Sequence, residues 1–110
     1  MSDEGRLQAV DFQWLETYAA HDETLVRQVL TVFTREAAGW AGHLDAGADW
    51  RPVVHTIKGT SRSIGATGLG ELCARAERDG EARLGEVRAE LARVVGEIAD
   101  YLARRGGPSG

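Results

Sequence analysis

Three residues near the middle of the chain, His55, Lys58 and Gly59, have types and a spacing that could support chemistry. A neutral imidazole nitrogen is a nucleophile near pH 7, and a lysine three residues further on lies one helical turn away on the same side. A glycine inside a helix costs about 1 kcal/mol relative to alanine, so Gly59 needs a reason. The chemistry open to these residues depends on whether His55 faces the core or the solvent.

The helix that carries these residues has one apolar face. Hydrophobic and small residues recur on it at helical spacing, namely Trp50, Val53, Ile57, Ser61 and Ile64. At about 100° per residue, His55 projects roughly opposite this face, and Gly59 lies beside it on the next turn. Gly59 therefore leaves room for another molecule to approach the imidazole. The other use of such a glycine, a tight helix–helix contact, would place it on the core side.

Positive charge collects around His55. The net charge of −4 over 110 residues divides into +3 for segment 50–70, which holds Arg51, Lys58 and Arg62 and no acidic residue, and −7 for the rest. By itself this pattern fits an ordinary solvated face as well as a functional surface. The acidic balance of the whole chain argues against nucleic acid as the main partner, because neutralising phosphates needs a basic surface.

Amphipathic helices joined by short turns must position this segment. We predict a short helix after Asp11, a long helix over about 23–45 after Asp22, a third from Asp49 to about Ala66 with Pro52 in its first turn, a fourth that Thr67 caps and Gly80 ends, and a fifth over about 82–104. No segment has the pattern of a strand. The predicted fold class is therefore all-α, an antiparallel up-down four-helix bundle with a short extra N-terminal helix. Residues 1–10 are predicted to be a flexible lead, 11–105 the bundle and 106–110 a flexible tail.

Composition and motifs exclude several other classes of protein. No apolar run approaches the roughly 20 residues that span a membrane, and the acidic, polar N-terminus is not a signal peptide. The single cysteine, Cys73, cannot form an internal disulfide, and it has no metal-ligand spacing with the three histidines. We expect a cytoplasmic monomer that binds no metal, membrane or nucleic acid.

The segment from His55 to Glu77, HTIKGTSRSIGATGLGELCARAE, resembles the histidine-phosphotransfer (HPt) family of phosphorelays. The matching residues are His55, Lys58 and Gly59 in an H-x-x-K-G pattern, followed at the family's spacing by Gly65, Leu69, Cys73 and Glu77. The family fold is an antiparallel four-helix bundle, usually with a short extra N-terminal helix. That fold agrees with the architecture predicted above from helical periodicity.

The resemblance implies that His55 is the phosphoacceptor. It would receive a phosphoryl group from a receiver-domain aspartate or from a histidine kinase, and would pass it to another receiver aspartate. The expected partners are a response-regulator receiver domain, a hybrid histidine kinase, or both. The chain would be a phosphocarrier without a cofactor rather than a stand-alone kinase, and the receiver would bring the Mg²⁺.

The resemblance also implies roles for the residues nearest His55. Lys58 would pair with the transferring phosphoryl oxygens and stabilise their developing charge. Gly59 would give clearance for the partner. Glu77 would lie on the neighbouring helix and accept a hydrogen bond from the imidazole Nδ1, which leaves Nε2 to react. The alternative for Glu77 is an ordinary surface carboxylate paired with Arg78 or Lys58. Related domains often have glutamine or another polar residue at this position.

Three further residues receive roles at the edge of the site. Arg51 and Arg62 would extend the positive field or steer an acidic partner surface. Ser63, two turns beyond His55, would donate a hydrogen bond to the phosphoryl group.

Two other functions stay open from the sequence. One is a noncatalytic helical adaptor that binds an acidic partner through the basic face around His55. The other is the dimerisation-and-phosphoacceptor part of a histidine kinase, although these 110 residues contain no ATP-binding motif.

Overall fold

The computed structural model describes residues 8–44 and 49–106, and every regular element within them is helical. These residues form five α-helices: α1 (Phe12–Tyr18), α2 (Glu23–Ala41), α3 (Arg51–Ser63), α4 (Thr67–Asp79) and α5 (Leu84–Gly106), with a 3-10 turn at Glu81–Arg83 before α5. The prediction of an all-α fold is confirmed. None of the described helices is both long enough and apolar enough to cross a membrane.

Aspartate side chains begin the first two helices, as predicted. The Asp11 carboxylate accepts a hydrogen bond from Trp14 N at 3.0 Å, and Asp22 accepts one from Leu25 N at 3.1 Å. Each carboxylate satisfies a backbone N–H that has no partner inside its helix. The α1 and α2 starts are thus determined by local sequence.

The caps predicted for α3 and α4 are wrong. The N-cap of α3 is Trp50 rather than Asp49, and it makes no side-chain cap bond. The Trp50 side chain at this helix start is buried, with 5% of its surface exposed. Pro52 lies in the first turn of α3, as expected. Thr67 is the first residue inside α4, and the N-cap is Ala66.

Two helices also end earlier than predicted. Helix α2 ends at Ala41, so the last residues assigned to it lie either in a turn or outside the described part of the chain. Helix α3 ends at Ser63 because Gly65 has a φ of +88°, which stops the helix. The N–H of Ala66 then donates to Ser61 O at 2.8 Å and that of Gly65 to Arg62 O at 3.4 Å, the two bonds of a Schellman motif.

The core lies among all five helices. Helix α3 packs against α2 and α4, α5 packs against α2 and α4, and α1 packs against α2. The apolar face of α3 is wider than the helical wheel predicted, because neighbours cover it on two sides and Val54 is buried as well. The largest fully buried side chains are Phe33, Leu30, Leu44, Ile57, Ile64, Leu69 and Ile98.

The ordered body begins before α1. Ala9 and Val10 were assigned to the flexible lead, yet both are buried, and their N–H groups donate to the Glu97 carboxylate at 2.8 and 3.1 Å. The ring of Phe12 stacks on Tyr101 with centroids 4.3 Å apart. These contacts attach the N-terminal segment to α5. Residues 1–7 of the predicted lead and 107–110 of the predicted tail lie outside the described residues.

Gly65 should be essential for the fold. A Cβ there would lie 2.9 Å from the carbonyl oxygen of Asp11 and would also need a positive φ. We expect Gly65→Ala to lower the free energy of unfolding by at least about 1–2 kcal/mol, measured by urea denaturation. Gly39→Ala is the matched control, since a Cβ at Gly39 meets nothing within 4 Å and should raise stability by up to about 1 kcal/mol. Equal stabilities for the two variants would contradict this account of the turn.

Candidate functional site

His55 lies in the second turn of α3 and points to solvent. Its side chain is 72% exposed, whereas Val54 and Ile57 on either side of it are fully buried. The wheel therefore placed His55 correctly. Because the imidazole ring is exposed, another molecule can approach its nitrogen atoms.

The Glu77 carboxylate bridges two side chains of α3. His55 Nδ1 lies 3.0 Å from Glu77 Oε2, and Lys58 Nζ donates to Oε1 at 2.5 Å. His55 and Glu77 are equally far along the chain from Ala66, so the antiparallel α3–α4 hairpin brings them opposite each other. The structure thus brings together the three polar residues predicted closest to the chemistry.

The charge of Glu77 determines which nitrogen of the His55 imidazole carries the proton. The hydrogen bond from Lys58, and after it the one from His55, lowers the pKa of the Glu77 carboxyl below its usual value, so the group is ionised near neutral pH. An ionised carboxylate can only accept hydrogen bonds, so Nδ1 must carry the proton. In the neutral ring, Nε2 then keeps its lone pair and can act as the nucleophile.

The hydrogen-bonded Glu77 carboxylate contributes to the stability of the fold in a defined pH range. Because the pKa of Glu77 is lower in the fold than in the unfolded chain, its contribution is present above the unfolded pKa. It is lost as the pH falls through the folded pKa. The pairing of Lys58, His55 and Glu77 is therefore intact throughout the neutral range.

Gly59 lies on an open part of the α3 surface. It is exposed, and a Cβ built on it would meet no atom within 4 Å. No internal contact among the described residues explains a glycine at this position. The open space at Gly59 is on the outer surface of α3, one turn from His55.

Arg51 and Arg62 lie on either side of His55 along α3. The Arg51 guanidinium carbon is 4.4 Å from the centroid of the Trp50 ring, and Nη1 is 3.5 Å from the backbone oxygen of Glu77. Arg62 is exposed and lies against Gly70 of α4, where an added Cβ would be 3.0 Å from Arg62 Cγ. Positive charge therefore extends along the line where α3 meets α4, from Arg51 past His55 to Arg62. We call this line the α3–α4 seam.

A family model, the Hpt domain, matches residues 13–105. The chain belongs to the Hpt domain family. Among solved structures it is similar to the crystal structure of the histidine phosphotransferase ShpA from Caulobacter crescentus, at 39% sequence identity and a TM-score of 0.82. That match covers 90% of this chain and 95% of the other. A search of curated proteins finds no match.

Ser63 is not beside His55 in this Hpt domain. Its Oγ donates to Thr60 O at 2.7 Å, and the residue lines a groove between α2 and α3 together with Leu25 and Val29. Eight residues separate it from His55, which corresponds to about 12 Å along the helix axis. The structure gives no contact that would let Ser63 reach a phosphoryl group on His55.

Two residues that support the site of the Hpt domain were missed from the sequence. Trp50 was assigned only to the core face, yet its ring also makes a cation–π contact with the Arg51 guanidinium. Gly70 received no role from the sequence, yet it is buried within α4 against Arg62. A signal for Gly70 existed, because Arg62 and Gly70 are equally far from Ala66 and must face each other in a hairpin.

Cys73 does not take part in the chemistry of the site. Burial raises the pKa of its thiol to about 12, so it stays protonated and unreactive near neutral pH. Within residues 8–44 and 49–106 there is no group of three His, Cys, Asp or Glu side chains that could hold a metal ion.

The tautomer of His55 can be measured directly. We expect long-range ¹⁵N–¹H correlation spectra at pH 8 to show Nδ1 protonated and Nε2 unprotonated. Glu77→Ala should remove this preference, and Glu77→Gln should not restore it, because an amide oxygen that accepts from Lys58 leaves the NH2 donor facing Nδ1. Glu71→Ala, an exposed carboxylate on the same helix, is the control. A protonated Nε2 in the unaltered protein would refute the assigned role of Glu77.

Proposed function

We propose that this Hpt domain is a phosphorelay intermediate in which His55 carries the phosphoryl group. It accepts the group from a receiver-domain aspartate or a histidine kinase and passes it to another receiver aspartate. The observation that carries the proposal is the exposed imidazole whose Nδ1 is held by the Glu77 carboxylate. The family and the similarity to a histidine phosphotransferase support the same role.

The finer architecture belongs to the same proposal. We propose that α2 to α5 form an up-down antiparallel bundle and that α1 is the short extra helix. The order of helix contacts supports it, as do the short α3–α4 turn and the approach of Arg88 to the Leu44 carbonyl at 2.9 Å. This frame would present the α3–α4 seam, with His55 upon it, as an open surface.

The chemical step can be written on the atoms of this site. The Nε2 lone pair of His55 attacks phosphorus, the bond from phosphorus to the aspartyl oxygen breaks, and the carboxylate leaves with the electron pair. The ring gains positive charge while Nδ1 keeps its proton, and the Glu77 carboxylate at 3.0 Å stabilises that charge. In the reverse step the same proton allows a neutral imidazole to leave, so the transfer is reversible.

Lys58 supplies the positive charge for the phosphoryl oxygens. Its ammonium has three N–H donors, of which one is used on Glu77 Oε1. The remaining donors can bind a phosphoryl oxygen without breaking the contact to Glu77. We propose that the receiver supplies the Mg²⁺ and that this chain supplies no cofactor. The monomeric state and the cytoplasmic location stay predictions.

Substitution of His55 tests the function. We expect a phosphorylated receiver domain or kinase from the same organism to label the protein with an acid-labile, base-stable phosphate, and His55→Gln to abolish the label. Glutamine removes the nucleophile but is small and polar enough to leave an exposed position folded. His21→Gln is the control, since this exposed histidine is distant in sequence from the site.

The outcome that would contradict the proposal is undiminished labelling of His55→Gln. The adaptor alternative predicts a different pattern. Partner binding would then survive His55→Gln and weaken on charge reversal at Arg51 or Arg62, with no phosphate transferred. A dimeric mass in solution would favour the kinase-dimerisation alternative.

Substitution of Gly59 gives a second test, in which stability is expected to rise while the rate of transfer falls. We expect Gly59→Ala to raise the free energy of unfolding by about 1 kcal/mol, because alanine is the better helix former and meets no atom. The same change should slow transfer by at least about tenfold, since a methyl group beside His55 keeps the aspartate from close approach. Gly96→Ala, also exposed in a helix with nothing within 4 Å, should stabilise without slowing transfer. Equal transfer rates for both variants would remove the clearance role.

A further inference from the structure

Gly70 forms a slot in α4 that confines the side chain of Arg62. An ideal Cβ at Gly70 would lie 3.0 Å from Arg62 Cγ, 3.1 Å from Nε and 3.6 Å from Cδ. Contacts of 3.0–3.4 Å are tighter than most real Cβ contacts, so even a methyl group at residue 70 would require the arginine to shift by a few tenths of an ångström. The stem of Arg62 therefore occupies space that exists because residue 70 has no side chain.

The guanidinium of Arg62 is not used inside the described structure. Ion pairs among residues 8–44 and 49–106 include those of Lys58 with Glu77, of Arg83 with Asp79 and Glu86, and of Arg93 with Glu90 and Glu97. Arg62 forms no ion pair there, and it is exposed. The fold thus holds the aliphatic part of this side chain and leaves its charged end available.

The position of Arg62 relative to His55 suits a partner contact. Seven residues separate them, which is nearly two complete turns, so both project from the same face about 10 Å apart along α3. A standard protein interface covers about 800 Å² on each partner and so extends roughly 15 Å from its centre. A receiver centred on His55 would reach Arg62.

We propose that Gly70 is a positioning residue for Arg62, and that the held guanidinium binds a surface carboxylate of the phosphoryl-exchange partner. This inference rests on the proposed function of His55. A guanidinium binds a carboxylate through two parallel N–H donors, which a lysine cannot do. A long side chain that is already confined loses less freedom on binding, so the slot strengthens the contact.

The slot can be tested without any partner. We expect the ¹⁵N relaxation of Arg62 Nε–H to report motion that is restricted relative to the Nε–H of exposed Arg104, and Gly70→Ala to increase that motion. Thermal unfolding should show that Gly70→Ala still folds, because alanine favours helix and the displaced arginine can move into solvent. An Arg62 Nε–H as mobile as that of Arg104 in the unaltered protein would overturn the slot.

The partner contact is tested by transfer kinetics from a phosphorylated receiver that labels His55. We expect Arg62→Ala to raise KM about tenfold, as loss of an interfacial charge pair does, with kcat kept and a weaker dependence of KM on salt. Arg62→Lys should recover part of the loss, and Arg104→Ala should leave KM unchanged. If Gly70 acts through Arg62, the double variant Gly70→Ala, Arg62→Ala should match Arg62→Ala alone.

The outcomes separate this inference from the proposed function. An unchanged KM for Arg62→Ala, or additive effects in the double variant, would overturn the inference while His55 remained the phosphoacceptor. Labelling that survives His55→Gln would overturn the proposed function and, with it, the partner contact assigned to Arg62. Arg62→Ala removes no buried group, so this arm is informative even if Gly70→Ala proves unstable.

Discussion

The turn between α3 and α4 sets the register in which the two helices meet, and the site depends on that register. Gly65 ends α3 with a positive φ, and the Ala66 N–H closes the turn on Ser61 O. The Gly65 carbonyl also accepts the N–H of Asp11 at 2.9 Å. One glycine therefore fixes the hairpin and anchors the start of α1. A shift of one residue in this turn would rotate α4 by about 100° and remove Glu77 from His55.

The chemistry at the seam follows from one carboxylate shared by two donors. In the proposed transfer, an acidic residue alone would repel the incoming phosphoryl group. Here the Lys58 ammonium, 2.5 Å from Glu77 Oε1, offsets that charge while the other oxygen holds the imidazole. The carboxylate is only partly exposed, at 27%, so the interaction is less screened than on an open surface. In the proposed mechanism, the nucleophile, its orientation and the positive charge thus come from one compact arrangement.

Three glycines along the seam serve different physical ends. Gly65 is required for its backbone conformation and for the close approach of Asp11. Gly70 is required for the space that Arg62 occupies. A Cβ added at Gly59 would meet no atom within 4 Å, so no packing contact among the described residues requires a glycine there. Glycine content alone does not distinguish these uses, since only the surroundings of each Cα do so.

Local sequence determined the helices, the caps at Asp11 and Asp22, and the outward direction of His55, because helical periodicity and capping act within a few residues. The resemblance added Glu77 as a partner for Nδ1. Only the tertiary structure decided that Glu77 also binds Lys58, that Ser63 faces the α2–α3 groove, and that Ala9 and Val10 join the core. These outcomes depend on which neighbouring helix covers each flank and in what register. Such long-range packing is not contained in the periodicity of any single segment.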